Sequence, residues 1–389
     1  SSFFCFFIKN IDTKKNYLTV LISLFFSLLL VEYILLKTNN LKFFEDYIQS
    51  KKHNIDYDFR SKSEVIKEGK NLYPSMHVLT DKYIHADVSM REMIPLSGVS
   101  NSETVLCNEN GFWAKYNSDR YGFRNPDNVW NENEIEYLIL GDSYAHGACV
   151  EDKNTFRNNL ERLSGKNTIN LGIGGNGPLM SLGAMIEYGF IKKPNKIIWL
   201  FNISDVSDII PELENKVLIK YLEENNFSQN LRNRSEEINL FYGEIIHNYL
   251  KKRENFFKFI KIREVINVAF DTYNVSKVKN KPLLNDYMFN SFMKVAEKII
   301  YTSKLYNTEL YVVYLPIHWE YSKKPPTYKK YRKKVLNFFE KNNITVIDLH
   351  KEKWVKDKEL FKNYVFSKNL HYTPLAYDEI SEIIFNNTK

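Results

Sequence analysis

Five short apolar runs, separated mostly by helix-patterned segments, constrain this chain more than any other feature. They occupy 137–140, 168–171, 196–201, 309–315 and 344–349 of the 389 residues. Leu179, Leu182, Ile186 and Phe190 recur at spacings of three, four and four, one face of a helix. A second amphipathic pattern runs from Tyr328 to Lys341, and a third from Pro374 to Asn386 with proline in its first turn. Strands alternating with helices predict an α/β domain whose parallel sheet is covered on both faces.

The alternation is interrupted once. From about 209 to 302 the chain is rich in Lys, Glu and Asn at helical periodicity, which predicts a helical insertion after the third strand. Upstream, 73–135 is short-patterned, aromatic and punctuated by turn residues, an irregular lead-in to the domain that spans 73–389.

The stretch 17–36, YLTVLISLFFSLLLVEYILL, has the length that a helix needs to cross a hydrocarbon core. Its one charge, Glu32, lies near the far end, within reach of an interface. No small-x-small cleavage site comes after it, so an uncleaved single-pass anchor is favoured over a signal peptide. Residues 1–16 then form an N-terminal tail and 37–72 a polar juxtamembrane stalk. Lys9, Lys14 and Lys15 precede the span and Lys37 and Lys42 come after it, a slight asymmetry. The domain is expected outside the cytoplasm, periplasmic or at the cell surface, as large domains after a first anchor commonly are.

Aromatic residues make up 15% and hydrophobic residues 44% of the chain, enough for a core. The net charge of +7 comes from dispersed lysines, and the run 329–334 falls at helical spacing as a solvated face. No recognition motif accompanies the charge, so no nucleic-acid partner is expected. Three cysteines do not make a disulfide scaffold. Cys5 precedes the span, leaving Cys107 and Cys149 as the one plausible pair, bonded or not. No C-x-x-C or His/Cys cluster suggests a metal, and no cofactor is expected.

Open parallel sheets place their sites beyond the carboxyl ends of strands. There lie Gly141-Asp142-Ser143, the glycine run 172–177, Asn202-Ile203-Ser204-Asp205 and, before the last helix, His371-Tyr372-Thr373-Pro374. Gly-Asp-Ser alone is ordinary turn chemistry. In this company it supplies the parts of an acyl-transfer site. Ser143 has an exposed hydroxyl at a strand-to-helix turn, a glycine lets a second N–H approach a developing oxyanion, and a distant histidine can take the proton. A dinucleotide reading of GIGGNG lacks its acidic ribose partner. His146 is weighed as a structural residue and His318 as a cleft-lining one.

These blocks resemble those of the SGNH/GDSL hydrolases. LILGDSYAHGACV is similar to the nucleophile block, INLGIGGNGP to the glycine block, IIWLFNISD to the third block, and NLHYTPLAYDEISEII to the terminal histidine block. NSDRYGFRNP is similar to the lead-in of the membrane-anchored bacterial branch, so the likeness covers about 117–386 without the insertion. It implies a flavodoxin-like sheet with helices on both faces. Ser143 becomes the nucleophile and His371 the base, with oxyanion donors from Ser143, Gly175 and Ser204. Ser204 stands where the family has asparagine. Where the family has its aspartate, this chain has Asn369 and Lys368. The orienting group for His371 is therefore open: Asn369, a carboxylate such as Asp205 or Asp348, or none.

The resemblance implies an esterase or O-acyltransferase, acetyl in the first instance, acting on an acylated saccharide or lipid-linked glycan. Residues 17–36 would contact membrane lipid, and an integral-membrane acyltransferase would be a partner. The alternative is a catalytically degenerate domain that binds a glycan or docks on a membrane partner.

Overall fold

The structure, a computed structural model, describes residues 11–38, 51, 56–69, 72–77, 79, 92–252, 259, 262–263, 284–317, 327–357, 364 and 371–389. It divides into two compact units, Ser1–Ser61 with His247–Lys281, and Lys62–Ile246 with Pro282–Lys389.

The first unit contains the helix Ile11–Thr38. Its segment Lys15–Leu35 is 21 residues long with a mean hydropathy of 2.4, long and apolar enough to span a membrane, as a signal sequence also is. Leu18, Val20, Phe26 and Leu30 on it are exposed. Glu32 is buried, and its carboxylate accepts the Ile262 backbone N–H at 2.9 Å.

The second unit is built on five parallel strands: β4 (Ile135–Leu140), β5 (Thr168–Asn170), β6 (Pro194–Phe201), β7 (Glu309–Tyr314) and β8 (Thr345–Asp348). Their order is β5-β4-β6-β7-β8, the flavodoxin-like winding in which the strand order reverses beside the first strand. β4 is buried along 137–140 and β6 along 197–201, and over those stretches their sequences are continuously apolar rather than alternating.

Helices Phe156–Ser164 and Pro374–Asn387 pack together on one face, joined by Phe156 and Tyr377 at 4.5 Å. Tyr137, on that face of β4, meets Thr388. On the other face Trp199 and Phe201 of β6 pack on Phe292 of helix Asp286–Leu305, and Trp199 also meets Phe339 of helix Thr327–Lys341. The pattern 179–190 forms the helix Pro178–Ala184, which widens into a π-turn over Met185–Gly189.

The ends of the 209–302 segment are part of this core. Ile209, on helix Asp205–Leu213, and Val295, Ala296 and Ile299, on Asp286–Leu305, are fully buried, and the two helices pack on each other. They form the crossover from β6 to β7. The juxtamembrane expectation to residue 72 also shortens, because helix Lys62–Glu68 and strand β1 (Leu72–Pro74) belong to this second unit.

The lead-in forms a small sheet of β1, β2 (Glu103–Val105) and β3 (Lys115–Asn117). Hydrogen bonds tie the segment after β3 to the large sheet. Buried Asp119 accepts from Tyr121 N, Phe123 N, Asn125 Nδ2 and Trp130 Nε1, all at 2.8–2.9 Å. Asn125 exchanges bonds with the Asn170 backbone at the end of β5.

Candidate active site

β4 ends in a turn that tolerates glycine alone at position 141. Gly141 has φ +144°, and a Cβ there would stand 2.6 Å from the Leu200 carbonyl of β6. Asp142 then caps the short helix Ser143–His146 by accepting the Tyr144 N–H, and Gly147 closes it at φ +78°. Ser143 therefore sits at the carboxyl edge of the sheet beside the switch point between β4 and β6.

His371 lies just before helix Pro374–Asn387 and brings Nε2 to 2.8 Å from Ser143 Oγ. Its Nδ1 is 2.8 Å from Glu109 Oε1, and its backbone N–H donates to Glu109 Oε2 at 3.3 Å. The His371 and Glu109 side chains are 16% and 12% exposed, so the pair is largely dry yet open at one edge. Serine, imidazole and carboxylate thus form one continuous hydrogen-bonded line.

Glu109 comes from the lead-in, not from the residues before the histidine. It rides on the turn between β2 and β3, where Leu106 and Cys107 pair with Ala114 and Asn108 Oδ1 accepts the Gly111 N–H. The sequence reading did not single it out. Asn369 and its neighbour Lys368 lie outside the described residues, as does His318. Asp205 is directed elsewhere, its carboxylate accepting from Asn202 N and Asn202 Nδ2. Asp348 accepts Arg332 Nη2 at both oxygens.

Ser204 is also committed. Its hydroxyl and its backbone N–H both donate to Asn202 Oδ1, so its proton is aimed at β6's own end. Asn202 Nδ2 in turn bridges Asp142 Oδ2 and Asp205 Oδ1 at 3.1 and 3.2 Å. Burial holds both of those carboxyls above the usual range, Asp205 further raised by Asp142. Burial and mutual repulsion thus both disfavour two adjacent charged carboxylates here.

The glycine run passes beside the serine. Gly174 presents its bare Cα to Ser143, whose Cβ is 3.7 Å from where a side chain would begin, and its N–H donates to His146 Nδ1 at 3.0 Å. That bond leaves the His146 proton on Nε2, which meets Tyr116 Oη at 3.1 Å. Burial first, then the Arg124 charge, lower His146 to about 3, so it is a neutral strut. Gly175 adopts φ +90° against the His77 ring, 2.8 Å from where its Cβ would stand. Arg124 clamps the other side of the turn, donating to the carbonyls of His146, Gly147 and Val150.

Cys107 and Cys149 form a disulfide. Cys149 Sγ, a Glu109 carboxylate oxygen and a His371 ring nitrogen lie within 4.8 Å of one another, the one such grouping of potential metal ligands among the described residues. With the sulfur bonded to Cys107, the group has no thiolate to offer a metal.

Fold and site together define a doubly wound α/β protein with a serine–histidine–carboxylate relay at its sheet edge. The chain is similar to several solved structures at low identity. An acetyl xylan esterase shares 11% identity over 65% of this chain and 99% of that one, with a TM-score of 0.39. A member of the lipolytic G-D-S-L family from Veillonella parvula shares 11% over 65% and 97%, at 0.36. The Clostridium thermocellum family 3 carbohydrate esterase shares 11% over 65% and 94%, at 0.35. No family model matches the chain, and no curated protein does.

Proposed function

We propose that this protein is a serine ester hydrolase or O-acyltransferase, held at a membrane by residues 17–36 and acting on an acylated saccharide outside the cytoplasm. One observation carries the catalytic reading: Ser143 Oγ, His371 and Glu109 are joined by two contacts of 2.8 Å. Ser143 attacks the ester carbonyl while His371 Nε2 takes its proton. Glu109 accepts a hydrogen bond from the Nδ1–H, which keeps Nε2 free as the base and stabilises the imidazolium that forms. The backbone N–H groups of Ser143 and Gly175 would be the donors to the developing oxyanion. His371 returns its proton to the departing alkoxide, leaving an acyl group on Ser143. Water resolves that intermediate in hydrolysis, and a sugar hydroxyl resolves it in transfer.

The saccharide class rests on the similarity of the sequence blocks to the anchored bacterial branch. The disulfide supports an oxidising compartment for the domain, and the apolar helix supports the anchor. A carboxylate on His371 favours chemistry over the binding-only alternative.

The test is intact-mass labelling of the full chain with a serine-directed fluorophosphonate, beside hydrolysis of p-nitrophenyl acetate. Adduct on the wild type and none on Ser143→Ala is the expected result. A folded wild type that neither labels nor hydrolyses overturns the reading. Acetylated oligosaccharide as donor, with and without a sugar acceptor, then separates hydrolysis from transfer.

A further inference from the structure

The carboxylate that completes the relay is not a sequence neighbour of the histidine it meets. Glu109 is 262 residues from His371 and belongs to a turn between two three-residue strands. Two residues before it stands Cys107, and six residues after Ser143 stands Cys149. The bond between those cysteines joins the turn that carries the acid to the turn that carries the serine, bypassing 42 positions of chain.

We infer that the Cys107–Cys149 disulfide is a positioning device for Glu109, and that its reduction turns the relay off. This rests on the catalytic reading of Ser143, His371 and Glu109. The geometry is direct: Cys149 Sγ is within 4.8 Å of the Glu109 carboxylate and the His371 ring. Cys149 is itself fixed. Its backbone has φ +60°, and the carbonyls of Gly147 and Val150 on either side of it are held by Arg124. Cys107 is anchored by the Ala114 N–H on its carbonyl at 2.9 Å and by apolar contact with the cluster of Leu106, Ala114 and Tyr116. The disulfide therefore couples the turn that carries Ser143 directly to the turn that carries Glu109.

Reduction needs two electrons and two protons, supplied by an external dithiol that leaves as its own disulfide. The products are two cysteine thiols. The turn at 106–114 then loses its covalent tie, and His371 Nδ1 loses a fixed acceptor. The imidazole is left free to adopt the other tautomer, with the proton on Nε2 and no base facing Ser143. Reoxidation restores the acid. An oxidising compartment keeps such an enzyme active, and a reducing one leaves it idle.

A mutant cycle on the full chain in detergent tests this. Fluorophosphonate labelling rates are compared for wild type, Cys107→Ser/Cys149→Ser, Glu109→Gln and the combination. The serine pair is expected to slow labelling at least tenfold in the wild-type background and less than twofold with Glu109→Gln present, since it acts through that carboxylate. Equal slowing in both backgrounds, or none in either, overturns the inference. Should the serine pair fail to fold, reversible dithiol reduction of wild type and Glu109→Gln gives the same comparison. Independently of any reaction, ¹⁵N-histidine spectra should contain a hydrogen-bonded His371 Nδ1 proton when oxidised and lose it on reduction. Its persistence after reduction overturns the inference even if the protein labels with nothing.

Discussion

Glu109 and His371 meet through two hydrogen bonds, one to the imidazole Nδ1 and one to the backbone N–H of the same residue. A carboxylate that grips ring and main chain together sets the position of the histidine as well as its tautomer. The Tyr144 ring packs beside the imidazole, 5.3 Å away at 59°, and is itself backed by Tyr372 at 4.8 Å.

Removing that grip should act on the chemical step. Glu109→Gln is expected to lower kcat by about 10²–10⁴ while changing KM little, because the amide can orient the ring without stabilising its charged form. His371→Ala should cost at least as much. Steady-state hydrolysis of p-nitrophenyl acetate measures both, and an unchanged kcat in Glu109→Gln would remove the carboxylate from the mechanism.

His146 is expected to matter through the loop that it supports. His146→Ala removes the acceptor of the half-buried Gly174 N–H and one of the two side-chain partners of the buried Tyr116 hydroxyl, the other being Thr104, a loss of about 1 kcal/mol for each bond. Denaturant unfolding should record the lower stability. Because His146 is lowered to about 3, it remains neutral through the working range and should contribute no limb to the pH–rate profile.

Gly141 has no acceptable replacement. A Cβ at φ +144° would stand 2.6 Å from the backbone oxygen of Leu200, and backbone of a central strand does not yield cheaply. Gly141→Ala should destabilise the protein by about 2–4 kcal/mol, at the upper end of single-residue effects, and Tm should fall accordingly. Gly165, by contrast, meets nothing within 4 Å, so Gly165→Asn, which tolerates its left-handed φ of +66°, should be nearly neutral.

Asp208 links stability to pH. Burial first, with the Asp142 charge second, raises its carboxyl to about 7 from an unfolded value of 3.8. The folded form therefore holds a proton that the unfolded form has lost, and this group's contribution to stability falls as pH rises between those two values. Asp208→Asn removes that loss. Its advantage over wild type should be absent near pH 3.5, grow up to pH 7 and level off above, approaching about 4 kcal/mol as an upper limit. His77 and His146 run the other way, since their folded values of about 4 and 3 make the unfolded chain the better proton binder below 6.5. Melting curves at pH 4, 6 and 8 for wild type and the Asn variant isolate the carboxylate.

Much of the architecture was legible because it is set by local pattern. The apolar runs at 137–140 and 196–201 had to be strands buried on both faces, and the helix at 374–386 was marked by its proline and its apolar spacing. Ser143 and His371 were legible for a related reason: each stands at a fixed offset from an element whose ends the sequence itself marks. The long apolar helix that covers 17–36 was legible from apolar length alone.

The carboxylate that meets His371 was not legible, because no local pattern encodes it. Glu109 is one carboxylate among many in an irregular, turn-rich stretch, and what distinguishes it is arrival, through β2, β3 and the disulfide, at the ring of a residue far along the chain. The contacts of Ser204 and Asp205 were hidden likewise, since Asn202 accepts a hydrogen bond from the hydroxyl of one and donates to the carboxylate of the other. Periodicity and turn chemistry, which depend on neighbours along the chain, determined the sheet and where its serine and histidine would stand. Which carboxylate faced the histidine depended on contacts between distant segments, and only the packed tertiary structure decides those.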